Sequence, residues 1–372
     1  MRILGLLPSS RGGLGELAKS GQHSRLIEGY LRLYARAFDE VRYFSYLPES
    51  LGNFTRDSEL LARVRVFPGG GWHPWLYAFV IPFRYRRQLR GCAVLRVFQV
   101  TGVIPALIAK RLYGVPFVTT YGFSYSELAR SRITAWLRRR VEAIGLAFAD
   151  AVIVTTPELA ARVSGRARAG AVWVIPNGVD TGLFRPTSRR PNPAKKVLYV
   201  GRLSEEKNLG ALIEATGKLA GQLDVRLIFV GDGPQRGQLE ASAQRLGVTA
   251  EFLPFVDHRE LPAFFARADA FVLPSFMEGH PKVLLEAMSC GVPCVASDVG
   301  GNSAILTDGE TGLLFDPRDA SALAGALERV LSQEDLARRL GERARARIVE
   351  HYDLGRLVER EIELLRRVAR AA

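Results

Sequence analysis

Short apolar, β-rich runs alternate with longer helical patterns along the whole chain, and the alternation starts over after Pro176-Asn177-Gly178-Val179-Asp180. In the first half the runs fall at 2–7, 41–46, 94–98, 116–120 and 151–155. In the second they fall at 196–200, 226–230, 251–255, 270–273 and 293–296. Strands that are apolar from end to end, with helices between them, are covered on both faces and belong to parallel sheets. A chain of 372 residues is also too long for one core. The simplest account is two doubly wound α/β domains, 1–178 and 179–356, joined near 176–195. Segment 185–196 holds Pro186, Pro191 and Pro193 and reads as an exposed connection. Ligands of such sheets bind at the carboxyl ends of the strands, which points to a cleft between the domains. The last stretch, 357–372, is an amphipathic helix with Leu357, Val358, Ile362, Leu364, Leu365 and Val368 on its apolar side. Its pattern alone leaves open which domain it covers.

The chemistry concentrates in 275–288, where Glu278 and Glu286 stand eight positions apart around Gly279-His280-Pro281-Lys282-Val283. Pro281 suits the first position of a helix, where a missing N–H costs nothing. Glu278 then lies in the preceding loop and Glu286 about a turn and a half inside the helix. One acid can reach a ligand lying across the helix start, and the other can grip a second part of it. The helix start itself favours an anion. An elongated, polyhydroxylated ligand carrying phosphate meets all three demands.

Other strand-to-helix turns add to this. Gly201-Arg202-Leu203-Ser204-Glu205-Glu206-Lys207 follows one strand. Its Arg202 and Lys207 can neutralise a diphosphate, the first through paired hydrogen bonds and the second as a point charge. Fixed cations there would lower the barrier to departure of a nucleoside diphosphate. The competing reading is a salt bridge to Glu205 or Glu206. Gly231-Asp232-Gly233 and Gly12-Gly13-Leu14-Gly15 also end strands. They fit either a close ligand approach or plain turns, and the same two readings apply to Ser297–Asn302. No Asp-x-Asp pair, His cluster or Ser-His-Asp set supports a metal site or a nucleophilic triad. Cys92, Cys290 and Cys294 read as buried thiols suited to a reducing compartment.

Charge is unevenly spread. Residues 1–180 carry 25 Lys and Arg against 12 Asp and Glu, whereas 181–372 carry 26 of each. The first half therefore either seeks an anionic partner, a membrane surface or a phosphorylated acceptor, or carries its arginines as decoration of solvated helices. Nucleic acid is disfavoured, because no nucleic-acid fold or stacking motif accompanies the charge. The segment 72–87 joins Trp72, Trp75, Tyr77, Phe79 and Phe83 to a basic flank. It reads equally as a membrane-interface element and as a buried helix with a basic end. Arg138-Arg139-Arg140 adds to the same charge. The apolar run at 1–8 is too short for a signal peptide, and no uncharged run could span a bilayer. The expected location is cytoplasmic, peripheral on the inner face of the membrane.

Through "IPNGVD", "VGRLSEEKN", "VGDGP", "PSFMEGHPKVLLEAMSCGVPCVASDVGG" and "DGETGLLF", spread over Ile175 to Phe315, the chain resembles the retaining nucleotide-sugar glycosyltransferases of family four. The resemblance runs nearly end to end. It implies the GT-B architecture, two facing Rossmann-like domains with an interdomain cleft, and a closing helix 357–372 that returns to the first domain. It assigns Glu278 to the donor sugar, Glu286 to the nucleotide ribose, and Arg202 with Lys207 to the donor diphosphate. Gly12 and Gly13 become a loop that closes on the same phosphates. Gly201, Gly231, Gly279, His280, Lys282 and Val283 complete the donor set.

The chain departs from the pattern at Pro281, often Gly in the family, which moves amide contacts to Gly279, His280 or Lys282. It departs again at Tyr121-Gly122 and at Phe98-Gln99, where the family often carries histidines. The resemblance implies metal-independent transfer of a hexose or related sugar, with retention, from a UDP- or GDP-type donor and without cofactor. The acceptor would be a glycan or lipid-linked, in envelope, capsule or exopolysaccharide synthesis. The alternatives are a nucleotide-sugar epimerase on the same architecture and a non-catalytic nucleotide-sugar-binding partner subunit.

Overall fold

A computed structural model describes residues 2–9, 12–122, 131–187 and 194–371. The chain divides into two compact units, one of Met1–Pro176 with Gly355–Ala372 and one of Asn177–Leu354. Of the proline-rich connection, Pro191 and Pro193 lie outside the described residues.

The first unit is built on a parallel sheet of seven strands. They are β1 (Ile3–Leu7), β2 (Glu40–Phe44), β3 (Val64–Phe67), β4 (Val94–Val97), β5 (Phe117–Tyr121), β6 (Ala151–Val154) and β7 (Val172–Val174). They lie in the order β3-β2-β1-β4-β5-β6-β7. Strands β1, β4 and β6 are buried along their whole length; β1 and β6 carry no charged residue, and β4 buries one charge, Arg96. Helices on both faces follow from the right-handed crossovers that parallel neighbours require.

The C-terminal helix, Leu354–Ala371, starts three residues earlier than its apolar pattern predicts. Its Leu357, Val358, Ile362 and Leu365 are buried. Glu361 on this helix takes the guanidinium of Arg96 from β4, Nε to Oε1 at 2.5 Å, and also the hydroxyl of Tyr34. Both members of the ion pair are almost fully buried. Arg366 donates to the Ala37 carbonyl at 2.6 Å.

The second unit has six parallel strands. They are β8 (Lys195–Val200), β9 (Val225–Val230), β10 (Thr249–Leu253), β11 (Ala270–Leu273), β12 (Cys294–Ser297) and β13 (Leu313–Phe315), in the order β10-β9-β8-β11-β12-β13. Its core is one continuous cluster that includes Tyr199, Phe229, Phe271, Leu285 and Val295. Cys290 and Cys294 are buried here and in no disulfide, as Cys92 is in the first unit. The predicted runs miss β3, β7 and β13, and β10 starts two residues before its predicted position. Among the described residues no helix is long and apolar enough to cross a membrane.

Candidate active site

In the second sheet the strand order reverses between β8 and β11, which lie side by side with Ala270 opposite Val197 and Phe271 opposite Leu198. The loops leaving two such strands diverge and open a crevice at their carboxyl ends. These two loops carry the sequence-derived cations and the first acid. Lys207 sits in a single turn, Glu205–Lys207, that ends in Asn208 with φ of 53°. The Asn208 amide fixes this turn by donating to the carbonyls of Pro274, at 3.3 Å, and Pro317, at 2.8 Å. The Phe276 amide donates to the Glu206 carbonyl at 2.9 Å.

Across this seam the Lys207 ammonium donates to Glu278 Oε1 at 2.7 Å, and Ser275 Oγ donates to the same oxygen at 2.7 Å. Lys207 therefore pairs with Glu278, and neither Glu205 nor Glu206 takes that place. Glu206 instead accepts from Ser204 Oγ at 2.6 Å. Arg202 is exposed, and its carbonyl is held by the Tyr199 hydroxyl at 2.9 Å.

The helix after Glu278 runs Lys282–Ser289. Pro281 is its N-cap, with φ −71° and ψ 116°, one position earlier than predicted. Its extended ψ turns the chain into the helix, and Lys282 is the first helical residue. Gly279, Lys282 and Val283 are half-buried at this start. Glu286, a little over a turn inside, is only 2% exposed, and its Oε1 lies 2.9 Å from Nε2 of the buried His258. The His258 ring in turn lies 4.9 Å from that of Phe184. Nothing in the sequence connects His258 to Glu286. No motif spacing reports this contact, because His258 lies in a turn 28 residues before Glu286, which is on the helix.

His280 is buried, and its Nδ1 has no hydrogen-bond partner among the described residues. Its carbonyl accepts from the Asn177 amide at 2.8 Å. Burial, reinforced by the Lys282 charge, pushes its pKa down to about 4.

The glycines of the site answer to neighbouring backbone. Gly231 has φ of 143°, and a Cβ there would lie 2.0 Å from the Gly201 carbonyl oxygen. A Cβ on Gly301 would lie 2.3 Å from the Glu278 carbonyl oxygen. The turn at Ser297–Asn302 is thus pressed against the acidic loop. Ser297 Oγ donates to the Ser275 carbonyl at 2.5 Å, and the Asn302 amide donates to the Ser297 carbonyl at 2.9 Å.

In the first unit, Gly12 and Gly13 lie after β1, at the point where that sheet reverses between β1 and β4. The Gly12 amide donates to the Ser9 carbonyl at 2.7 Å. The amides of Leu14 and Gly15, which open the next helix, donate to the two Glu49 oxygens at 2.8 and 2.7 Å. Ser45 Oγ supports the same carboxylate at 2.5 Å. A protein anion therefore already satisfies helix-start donors that the sequence offered to a phosphate. Glu49 went unread because it lies 35 residues from Leu14 and belongs to no motif.

The family described as "Glycosyl transferases group 1" matches residues 180–347, and "Glycosyltransferase Family 4" matches residues 24–183. Among curated relatives, a glycogen synthase of Mycobacterium tuberculosis is 32% identical over 259 residues, covering 67% of this chain and 62% of that protein. The chain thus spans less than two thirds of that synthase's length. The alpha-maltose-1-phosphate synthase of Mycolicibacterium smegmatis is 31% identical over 304 residues, covering 70% of this chain and 76% of that protein. Among solved structures, a sucrose-phosphate synthase from Thermosynechococcus elongatus superposes with a TM-score of 0.82 at 25% identity, covering 100% of both chains. Two parallel sheets, a reversal of strand order in each, and these matches place the chain among the family 4 glycosyltransferases of GT-B fold.

Proposed function

We propose that the chain transfers a sugar from a nucleoside diphosphate sugar to an acceptor hydroxyl, with retention of the anomeric configuration and without a metal. The observation that carries this reading is the Lys207–Glu278 pair, which joins the two loops at the point where strand order reverses. In this reading the empty site is self-neutralised. An arriving diphosphate draws the Lys207 ammonium to itself, beside Arg202. Glu278 is then released to accept hydrogen bonds from the sugar hydroxyls. The leaving diphosphate gains negative charge as the glycosidic bond breaks, and two fixed cations favour that transition state over the bound donor.

Glu286, held by His258, receives the ribose hydroxyls. The amides around Gly279 and Lys282 face the sugar, and Gly12 and Gly13 belong to the phosphate-closing loop of the first unit. The acceptor hydroxyl attacks on the face from which the diphosphate departs, so the configuration is kept. The donor is of UDP or GDP type. The acceptor is a glycan or a lipid-linked sugar of an envelope, capsule or exopolysaccharide pathway.

The test is release of nucleoside diphosphate from a panel of UDP- and GDP-sugars, with and without acceptors. Lys207→Ala and Glu278→Ala should each lower kcat by at least about a hundredfold, with circular dichroism unchanged. Full activity in either variant sinks the assignment. Epimerised donor in the absence of acceptor would replace transfer with isomerisation.

A further inference from the structure

Two helices of the first unit leave large apolar side chains in solvent, and each does so along one continuous line. In the helix Pro74–Arg84, Tyr77, Ala78 and Ile81 turn inward. Leu76, Phe79 and Phe83, at helical spacing, are 59%, 52% and 60% exposed, and Trp72 just before the helix is 55% exposed. The segment is therefore not a wholly buried helix, and the membrane-interface reading of its sequence stays open. It is anchored on one side and bare on the other. In the helix Arg132–Phe148, Gly145 and Leu146 face inward. Ile133, Trp136, Ile144 and Phe148 are exposed along the opposite face.

Both helices pack on the helix Ile104–Tyr113 between them, whose exposed end presents Arg111 and Leu112. The three form one layer on one face of the first sheet. Isolated exposed apolar residues are ordinary, but a layer of aligned aromatic and aliphatic side chains marks an interaction surface.

The charge of this layer identifies its occupant. The sequence carries no acid between Glu59 and Glu127. Arg84, Arg86 and Arg87 are exposed at the end of the first helix, and Arg132, Arg139 and Arg140 are exposed on the second. The Arg140 guanidinium lies 5.3 Å from the Trp136 ring centre, so cation and aromatic ring share one position. A second copy of this chain would set arginine against arginine, and an ordinary apolar protein patch would leave them without counter-charge. We propose that this layer docks on an anionic lipid bilayer, with Trp72, Leu76, Phe79, Phe83 and Trp136 entering the headgroup region and the arginines meeting lipid phosphates. The proposal is independent of the transfer reading, since it concerns no residue of the proposed donor site.

The test is co-sedimentation of the full chain with vesicles of phosphatidylcholine alone and of phosphatidylcholine with phosphatidylglycerol. Tryptophan emission is read in parallel. Phosphatidylglycerol vesicles should bind the protein and shift its emission to the blue, more strongly at low salt. Phosphatidylcholine vesicles should bind it at least tenfold more weakly. Leu76→Ser combined with Phe79→Ser should lower binding about tenfold, as should Arg139→Glu combined with Arg140→Glu. All four residues are exposed, so the melting temperature should hold. Four results would overturn the proposal: no binding to phosphatidylglycerol vesicles at low salt, equal binding to both vesicle types, binding unchanged in both double variants, or a lipid-free dimer that the Leu76/Phe79 variant dissociates. Nucleoside diphosphate release toward a soluble acceptor, measured without vesicles, should be the same in wild type and variants, so failure here leaves the catalytic reading standing.

Discussion

His280 stands between the two acids of the site and couples its loop to pH. The unfolded chain protonates this ring near the ordinary value of about 6.5. In the folded chain, burial and the Lys282 charge keep it neutral down to about 4. Below the unfolded value the unfolded state therefore binds the additional proton. The stability associated with the neutral ring is fully present above that value and is lost as pH falls through the window. Between pH 7 and 5 the wild type should lose about 2 kcal/mol more than His280→Gln, a difference that urea midpoints of the two proteins will show. His280 was legible as a member of the acidic motif. Its burial was not, because nothing local reveals that Tyr352 lies 5.6 Å from its ring. The same limit applies to Lys207 and Glu278. Each was readable as a functional type, but their mutual bond spans 71 residues and is created only by the pairing of β8 with β11.

At the scale of elements, the strands found from sequence are mostly the interior ones, and the strands missed are all edges. β3 and β7 close the first sheet, and β13 closes one side of the second. An edge strand is covered less completely, so it need not be apolar throughout; β3 is Val-Arg-Val-Phe with an exposed arginine. Its signal falls below that of a buried run. The C-terminal helix was legible as amphipathic because its apolar side repeats over several turns. Its anchoring pair was not, since Arg96 reads as one more cation and Glu361 as one more surface acid. Burial, with the Glu361 charge behind it, holds the Tyr34 phenol well above its usual range, so it remains a donor to that carboxylate. Glu361→Ala would leave Arg96 charged and unpaired in the interior and should cost about 3–5 kcal/mol, measured by denaturant unfolding. Removing both partners, as Arg96→Met with Glu361→Leu, should recover most of that loss. If the single variant costs no more than a surface substitution, the helix is held by its apolar side alone.

At the scale of the whole molecule, the two halves differ in charge as well as in chemistry. The excess of basic residues falls within 1–180, and 181–372 is balanced. If the second unit holds the donor, a nucleotide sugar at about a hundred times its Kd should raise stability by about 2.7 kcal/mol, visible as a higher Tm. Lys207→Ala should abolish that shift. A shift of equal size in the variant would remove Lys207 from the donor site. The bond between Lys207 and Glu278 carries the balance of the second half down to single atoms. A cation already satisfied by its own carboxylate offers little to stray anions, and the second unit, Asn177–Leu354, with 21 Lys and Arg against 24 Asp and Glu, has no net positive charge to gather them. Abundant inorganic phosphate and free nucleotides then compete poorly. Only a ligand that engages the ammonium and the carboxylate together repays the parting of the pair, so selectivity is set at contact distance and should vary little with ionic strength.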